Sequence, residues 1–190
     1  MTDTTATTAF DISCALRERL PDIGAVRQHK MLYYAQGWHL AFTGRPLFPE
    51  VIEAWDKGPV VADLWRVERA GKVVDQNRTL NDEELSTVEF VVRRYGALNA
   101  RELISLSHQE APWLNAYDRT RRTEITLEAL QTFFEQDPEQ KRLAPIADEI
   151  ERRWRAPLEI GLSLHRPPEL DWRSERDRVT EMLNSRFASE

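Results

Sequence analysis

Between Ala25 and Phe42 the chain is apolar on almost every side of a helix. Met31, Tyr34, Ala35, Trp38, Ala41 and Phe42 recur at three- and four-residue spacing, and Leu32, Tyr33 and Leu40 fill the other faces. A helix apolar over most of its circumference is a central one, so this pattern predicts a core helix rather than a site lined with aromatics. Gly44 follows as a natural C-terminal glycine. A shorter helix is expected before it, Asp11 to Arg19, with Ile12, Ala15, Leu16 and Leu20 inward and Pro21 as its end. Residues 1–9, Thr-rich with little to bury, read as a disordered tail.

Downstream the pattern shortens. Glu50 to Trp55 reads as a strand, and Lys72 to Val74 as a second one to pair with it. Gly58-Pro59 between them reads as a helix start, with Val61, Leu64, Trp65 and Glu68 at helical spacing and Gly71 as the stop. Asn81 with Glu84, and Asn99 with Glu102, have the spacing of capping boxes flanked by leucines. Leu85, Val88, Val92 and Tyr95 form the expected inner stripe of the first of these helices. Thr126 offers a further cap, ahead of Leu127, Leu130 and Phe134, and a short helix is expected from Ala111 to Arg119. The fold class is therefore mainly α: a multi-helix domain around a central aromatic-rich helix, with a small two-stranded β element.

After Asp137 the character changes. Residues 138–190 hold 21 charged residues in 53 and five of the ten prolines. Two amphipathic helices, near 140–155 and 171–186, would make this a helical C-terminal extension to a domain spanning 10–137.

Composition narrows the function classes. The formal net charge is −6 and the pI about 5.4, which disfavours general nucleic-acid binding. The single cysteine, Cys14, makes neither an intrachain disulfide nor a CxxC site, and reads as a small core residue. No apolar run reaches the roughly 20 residues of a membrane span, and the amino terminus lacks a secretory pattern. A soluble, cytoplasmic protein is expected.

Catalytic patterns are not found. His29, His39, His108 and His165 show no HExxH spacing, and His108-x-Glu110 lacks the P-C-x-x-C that zinc deamination needs. There is no G-x-S-x-G elbow and no phosphate-cradling glycine loop. The basic clusters Arg119-x-Arg121-Arg122 and Arg152-Arg153-x-Arg155 are interleaved with acids and read as solvated helix faces. A protein that acts by binding another protein remains, without cofactor or metal.

Three stretches carry a resemblance: Lys30-Met-Leu-Tyr-Tyr-Ala-Gln-Gly-Trp-His, Gly44 to Phe48, and Ile52-Glu-Ala-Trp55-x-x-Gly58-Pro-Val-Val61. With Leu64-Trp65-Arg66, the segment from Leu80 to Gly96, and Ser107-His108-x-Glu110-x-Pro112-Trp113, they resemble the Panacea domain, the SocA-like, phage-associated group of antitoxins. The resemblance covers about 110 residues and ends near Phe134. It implies an antitoxin of a toxin–antitoxin pair, with a link to phage defence. Such a protein neutralises a cognate toxin, encoded by an adjacent gene, by protein–protein binding and without enzymatic activity. A proteolytic adaptor that hands the toxin to a protease, or a nucleic-acid-binding regulator, is the alternative. A homo-oligomer is left open.

Lys30, Tyr33, Tyr34, Gly37 and Trp38 would be the scaffold signature of such a domain. Trp55, Lys57, Gly58, Pro59, Trp65, His108 and Trp113, with Trp154 and Trp172 in the extension, are the candidate partner contacts, since tryptophans anchor interfaces. The exposed turn at Gly58-Pro59 is one expected surface. The 138–190 extension is the preferred carrier of partner specificity. Its deletion is then expected to abolish neutralisation in a co-expression assay while leaving a folded core; retained neutralisation would contradict that assignment.

Overall fold

A computed structural model describes residues 6–72 and 78–137, and seven helices and three short strands lie among them. The helices are α1 (Ala9–Arg19), α2 (Gly24–Thr43), α3 (Ala62–Arg69), α4 (Asp82–Tyr95), α5 (Ala100–Ser107), α6 (Ala111–Ala116) and α7 (Leu127–Glu135). The strands are β1 (Ile52–Trp55), β2 (Gly58–Val61) and β3 (Thr123–Glu124), in the order β2-β1-β3, all antiparallel. The mainly α class with a small sheet is as expected. The expected helical extension, residues 138–190, lies outside the described residues.

The sheet differs from its expectation in partner and strand number. β1 pairs with β2, register Ile52↔Val61 to Trp55↔Gly58, across the two-residue turn Asp56-Lys57, and β3 adds a third strand. Gly58-Pro59 therefore belongs to a strand, and α3 begins only at Ala62. The reason is tertiary. Pro59 after a non-helical residue suits a helix start as well as a strand. Pairing with β1 extends residues 58–61, however, and Lys30 and Ser107 pack against Gly58, whose φ of +91° is open to glycine. Pro59 lies on an edge strand, where its missing N–H removes no ladder bond. Val73 and Val74, the expected partner strand, lie outside the described residues.

The helix ends follow their chemistry. Asn81 accepts from the Glu84 amide while Glu84 returns to the Asn81 amide, and Asn99 and Glu102 repeat the exchange. Thr126 caps α7, and Gly44, at φ +68°, terminates α2. At the amino end Thr8 and Asp11 form a further capping box, Thr7 is buried and Ala9 is fully buried. Packed chain thus starts before residue 10, earlier than the tail pattern suggests. Other small departures concern the stripes: Val91 is buried where Val92 was expected, and Leu127 is 43% exposed.

α2 runs through the core, and every residue from Gln28 to Ala41 is buried. It is packed by α1, α4, α5, α7 and β2. Its polar side chains are buried too, and between them they reach several of the surrounding elements. Lys30, 1% exposed, donates from Nζ to the Pro59 carbonyl at 2.9 Å. The Tyr33 and Tyr34 hydroxyls donate to Glu110 at 2.8 and 3.1 Å. Gln36 bonds the Leu47 and Phe48 backbone, and Trp38 Nε1 donates to the Tyr95 hydroxyl at 2.9 Å. The Thr87 hydroxyl donates to the Glu83 carbonyl, so it accepts from His39 Nδ1–H at 2.9 Å. The aromatics interlock: Tyr34 stacks on Tyr95 at 3.9 Å, and the Phe134 ring meets Tyr33, Tyr34 and Trp38 edge-on.

Gly37 is the position where α7 lies closest. A Cβ built there would sit 2.1 Å from Phe134 Cε2. Gly37→Ala gains up to about 1 kcal/mol of helix propensity but drives a methyl into a ring that is 1% exposed and hemmed by aromatics. Overpacking of this kind costs about 1–3 kcal/mol. Denaturant unfolding is expected to show net destabilisation; an unchanged or higher midpoint would contradict the packing.

Burial holds the Glu110 carboxyl up, from 4.5 to about 7, and the two tyrosine bonds only partly offset it. The folded chain therefore binds this proton more tightly than the unfolded one. The stability it contributes is complete below pH 4.5 and is lost as pH rises through about 7, by up to about 1.4 kcal/mol per pH unit. Glu110→Gln, which cannot ionise, is expected to gain on the wild type across that window in paired unfolding measurements. A difference that stays constant with pH would contradict it.

Candidate partner-binding site

Trp55 closes β1, and its ring faces Trp65 of α3 edge-on at 4.9 Å. Both rings are half-buried. The Arg122 guanidinium lies 3.8 Å from the Trp55 ring centre, and Arg69 lies 5.2 Å from that of Trp65. Stacked guanidinium on indole is favourable in itself and keeps the cation's edge free to bond. The two tryptophans form one wall of a groove of about 460 Å³, whose other sides come from the start of α2, the Asp56-Lys57 turn and residues 118–122.

The hairpin that carries Trp55 is held from below. Gly58 approaches the core so closely that a Cβ would lie 2.6 Å from Lys30 Cε and 2.8 Å from Ser107 Oγ. Burial lowers the Lys30 ammonium from 10.5 to about 7, and its Nζ supports the turn from below. Trp113 Nε1 donates to the Trp55 carbonyl at 3.1 Å. Behind Trp113 stand two further rings: His108 stacks on one side at 3.9 Å and Tyr117 on the other at 4.5 Å. The Tyr117 hydroxyl donates to Asp56 Oδ1 at 2.8 Å, which ties the turn to the chain after α6. That bond holds the Tyr117 hydroxyl above its ordinary range, and burial lowers His108.

Residues 118–121 form a tight turn, not a continuation of α6. Asp118 accepts from the Thr120 amide and hydroxyl and from Arg121 Nε, which pulls its carboxyl down to about 2. The turn ends α6 at Ala116 and delivers Arg122 onto Trp55, directly before β3 pairs with β1. The expected helical face at Arg119-x-Arg121-Arg122 is thus the rim of the groove. Asp118 and Thr120, both turn-forming side chains, are the sequence signal for it.

The candidate contacts separate accordingly. Trp55, Lys57 and Trp65 come together on the groove. Gly58 and Pro59 are buried and shape the turn instead of forming its surface. Trp113 is buried and, with His108, supports the hairpin. Trp154 and Trp172 lie outside the described residues. Arg122, Arg69 and the Tyr117–Asp56 pair are additional members that periodicity alone missed. Among the described residues no three His, Cys, Asp or Glu side chains gather as a metal site, and no helix is long and apolar enough to cross a membrane.

Residues 29–114 match the family described as antitoxin SocA-like, Panacea domain. A protein described as antitoxin SocA, from Caulobacter vibrioides (strain NA1000 / CB15N), is 31% identical over 102 residues. That alignment takes in 44% of this chain and 54% of the relative, about half its length. No solved structure matches. The matched segment runs from the buried face of α2 through the hairpin and α3 to α6, so it contains Lys30, Trp55, Trp65, Glu110 and Trp113. Both matches support assigning residues 29–114 to the SocA-like, Panacea-domain antitoxins.

Proposed function

We propose that this protein is an antitoxin that neutralises a cognate toxin protein by binding it directly, with no chemistry of its own. The observation that carries the reading is the coincidence of the Panacea match with a groove of half-buried tryptophans and exposed cations on a well-fastened scaffold. Trp and Arg are the side chains most often found as interface anchors. The strongly perturbed carboxyl and amine, Glu110 and Lys30, have structural partners in Tyr33, Tyr34 and Pro59. The toxin is the product of an adjacent gene, and Trp55, Lys57 and Trp65 belong to the contact face. The extension, residues 138–190, is the second contact region.

Co-expression tests the reading. The neighbouring gene alone is expected to arrest growth, and this protein beside it to restore growth with the toxin's half-life unchanged. A harmless neighbour, or one that stays toxic, would contradict neutralisation. A shortened half-life would instead favour delivery of the toxin to a protease.

A further inference from the structure

The groove has a chemistry that specifies more than "a protein". Its rim carries Lys57, Arg119, Arg121 and Arg122, all exposed. The acids beside them are occupied: Asp56 accepts from Tyr117, and Asp118 from Thr120 and Arg121. Arg122 and Lys57 have no carboxylate partner among the described residues. On a chain of net charge −6 this is a local reversal of sign. Between the cations lies apolar surface, namely the Trp55 and Trp65 edges and Val26, which is 37% exposed.

We propose that this groove receives an acidic segment of the partner protein, with a carboxylate on Arg122 and Lys57 and a neighbouring apolar side chain against Trp55, Trp65 and Val26. The inference rests on the antitoxin reading and names the partner's chemistry. A guanidinium stacked on an indole presents its edge outward, the geometry for two parallel N–H···O bonds to a carboxylate. Opposite charge across an interface also speeds encounter and fixes register. A nucleic acid would use the same cations but needs open aromatic faces for its bases. Here Arg122 lies against the Trp55 ring and Arg69 against that of Trp65.

The probe is the purified product of the adjacent gene, and binding is measured to the full-length wild type, Arg122→Glu and Lys57→Glu/Arg122→Glu, each first shown to unfold like the wild type. Reversal at Arg122 is expected to weaken binding about tenfold or more, and the double reversal further. Wild-type affinity is expected to fall as salt rises. An Asp or Glu to Lys change in one acidic segment of the probe should restore binding to Arg122→Glu. Undiminished binding by both variants would overturn the inference and leave the antitoxin reading standing. Absence of wild-type binding would overturn both. A twenty-nucleotide oligo-dT that binds the wild type and loses affinity on Arg122→Glu, with the protein probe unaffected, would assign the groove to nucleic acid instead.

Discussion

A helix enclosed on all sides leaves its polar side chains costly wherever they go unmatched. Each buried donor or acceptor without a partner costs about 1–3 kcal/mol. α2 carries several such groups, and most are matched by the elements around it. Lys30 holds the β1–β2 hairpin, Tyr33 and Tyr34 hold Glu110 ahead of α6, Gln36 holds the chain at Leu47 and Phe48, and Trp38 and His39 hold α4. These bonds fix where the surrounding pieces sit, in a way that apolar packing alone would not. Hydrophobic contact is non-directional, whereas a buried hydrogen bond admits one partner in one geometry.

The groove at Trp55 follows from that constraint. Because Lys30, Ser107 and Trp113 crowd the underside of the hairpin, its Gly58-Pro59 side is closed, and Trp55 with the Asp56-Lys57 turn is what remains outward. Tyr117 and the Asp118 turn then bring Arg122 across the indole. A pre-formed arrangement of this kind binds without first paying the ordering cost of a loose loop. The displaced pKa values of Glu110 and Lys30 have a structural cause in the same frame: both groups are displaced by burial, as parts of the scaffold.

Much of the helical frame was legible from local chemistry. Asn81, Asn99 and Thr126 mark their helix starts because the cap is a bond within a few residues, and α2 is marked by its all-round apolar pattern. The sheet was not legible in the same way. Gly58-Pro59 fits a helix start by propensity, and only the approach of Lys30 and Ser107 shows why it is a strand. The groove was half legible. Trp55, Lys57 and Trp65 stand out as residues, but Arg122 sits on Trp55 through a contact 67 positions apart in sequence. A charge run such as Arg119 to Arg122 has one appearance on a helix and another at the rim of a groove, and the Asp118 turn decides between them.

The central claim is that α2 fastens a scaffold whose outward face, at Trp55, Lys57 and Arg122, meets the partner. Hydrogen–deuterium exchange with and without the product of the adjacent gene tests it most directly. The account predicts that protection on binding includes residues 53–58 and 117–124, while α2 is slow to exchange in both states. Protection that leaves both of those segments unchanged, or fast exchange along α2 in the free protein, would contradict it.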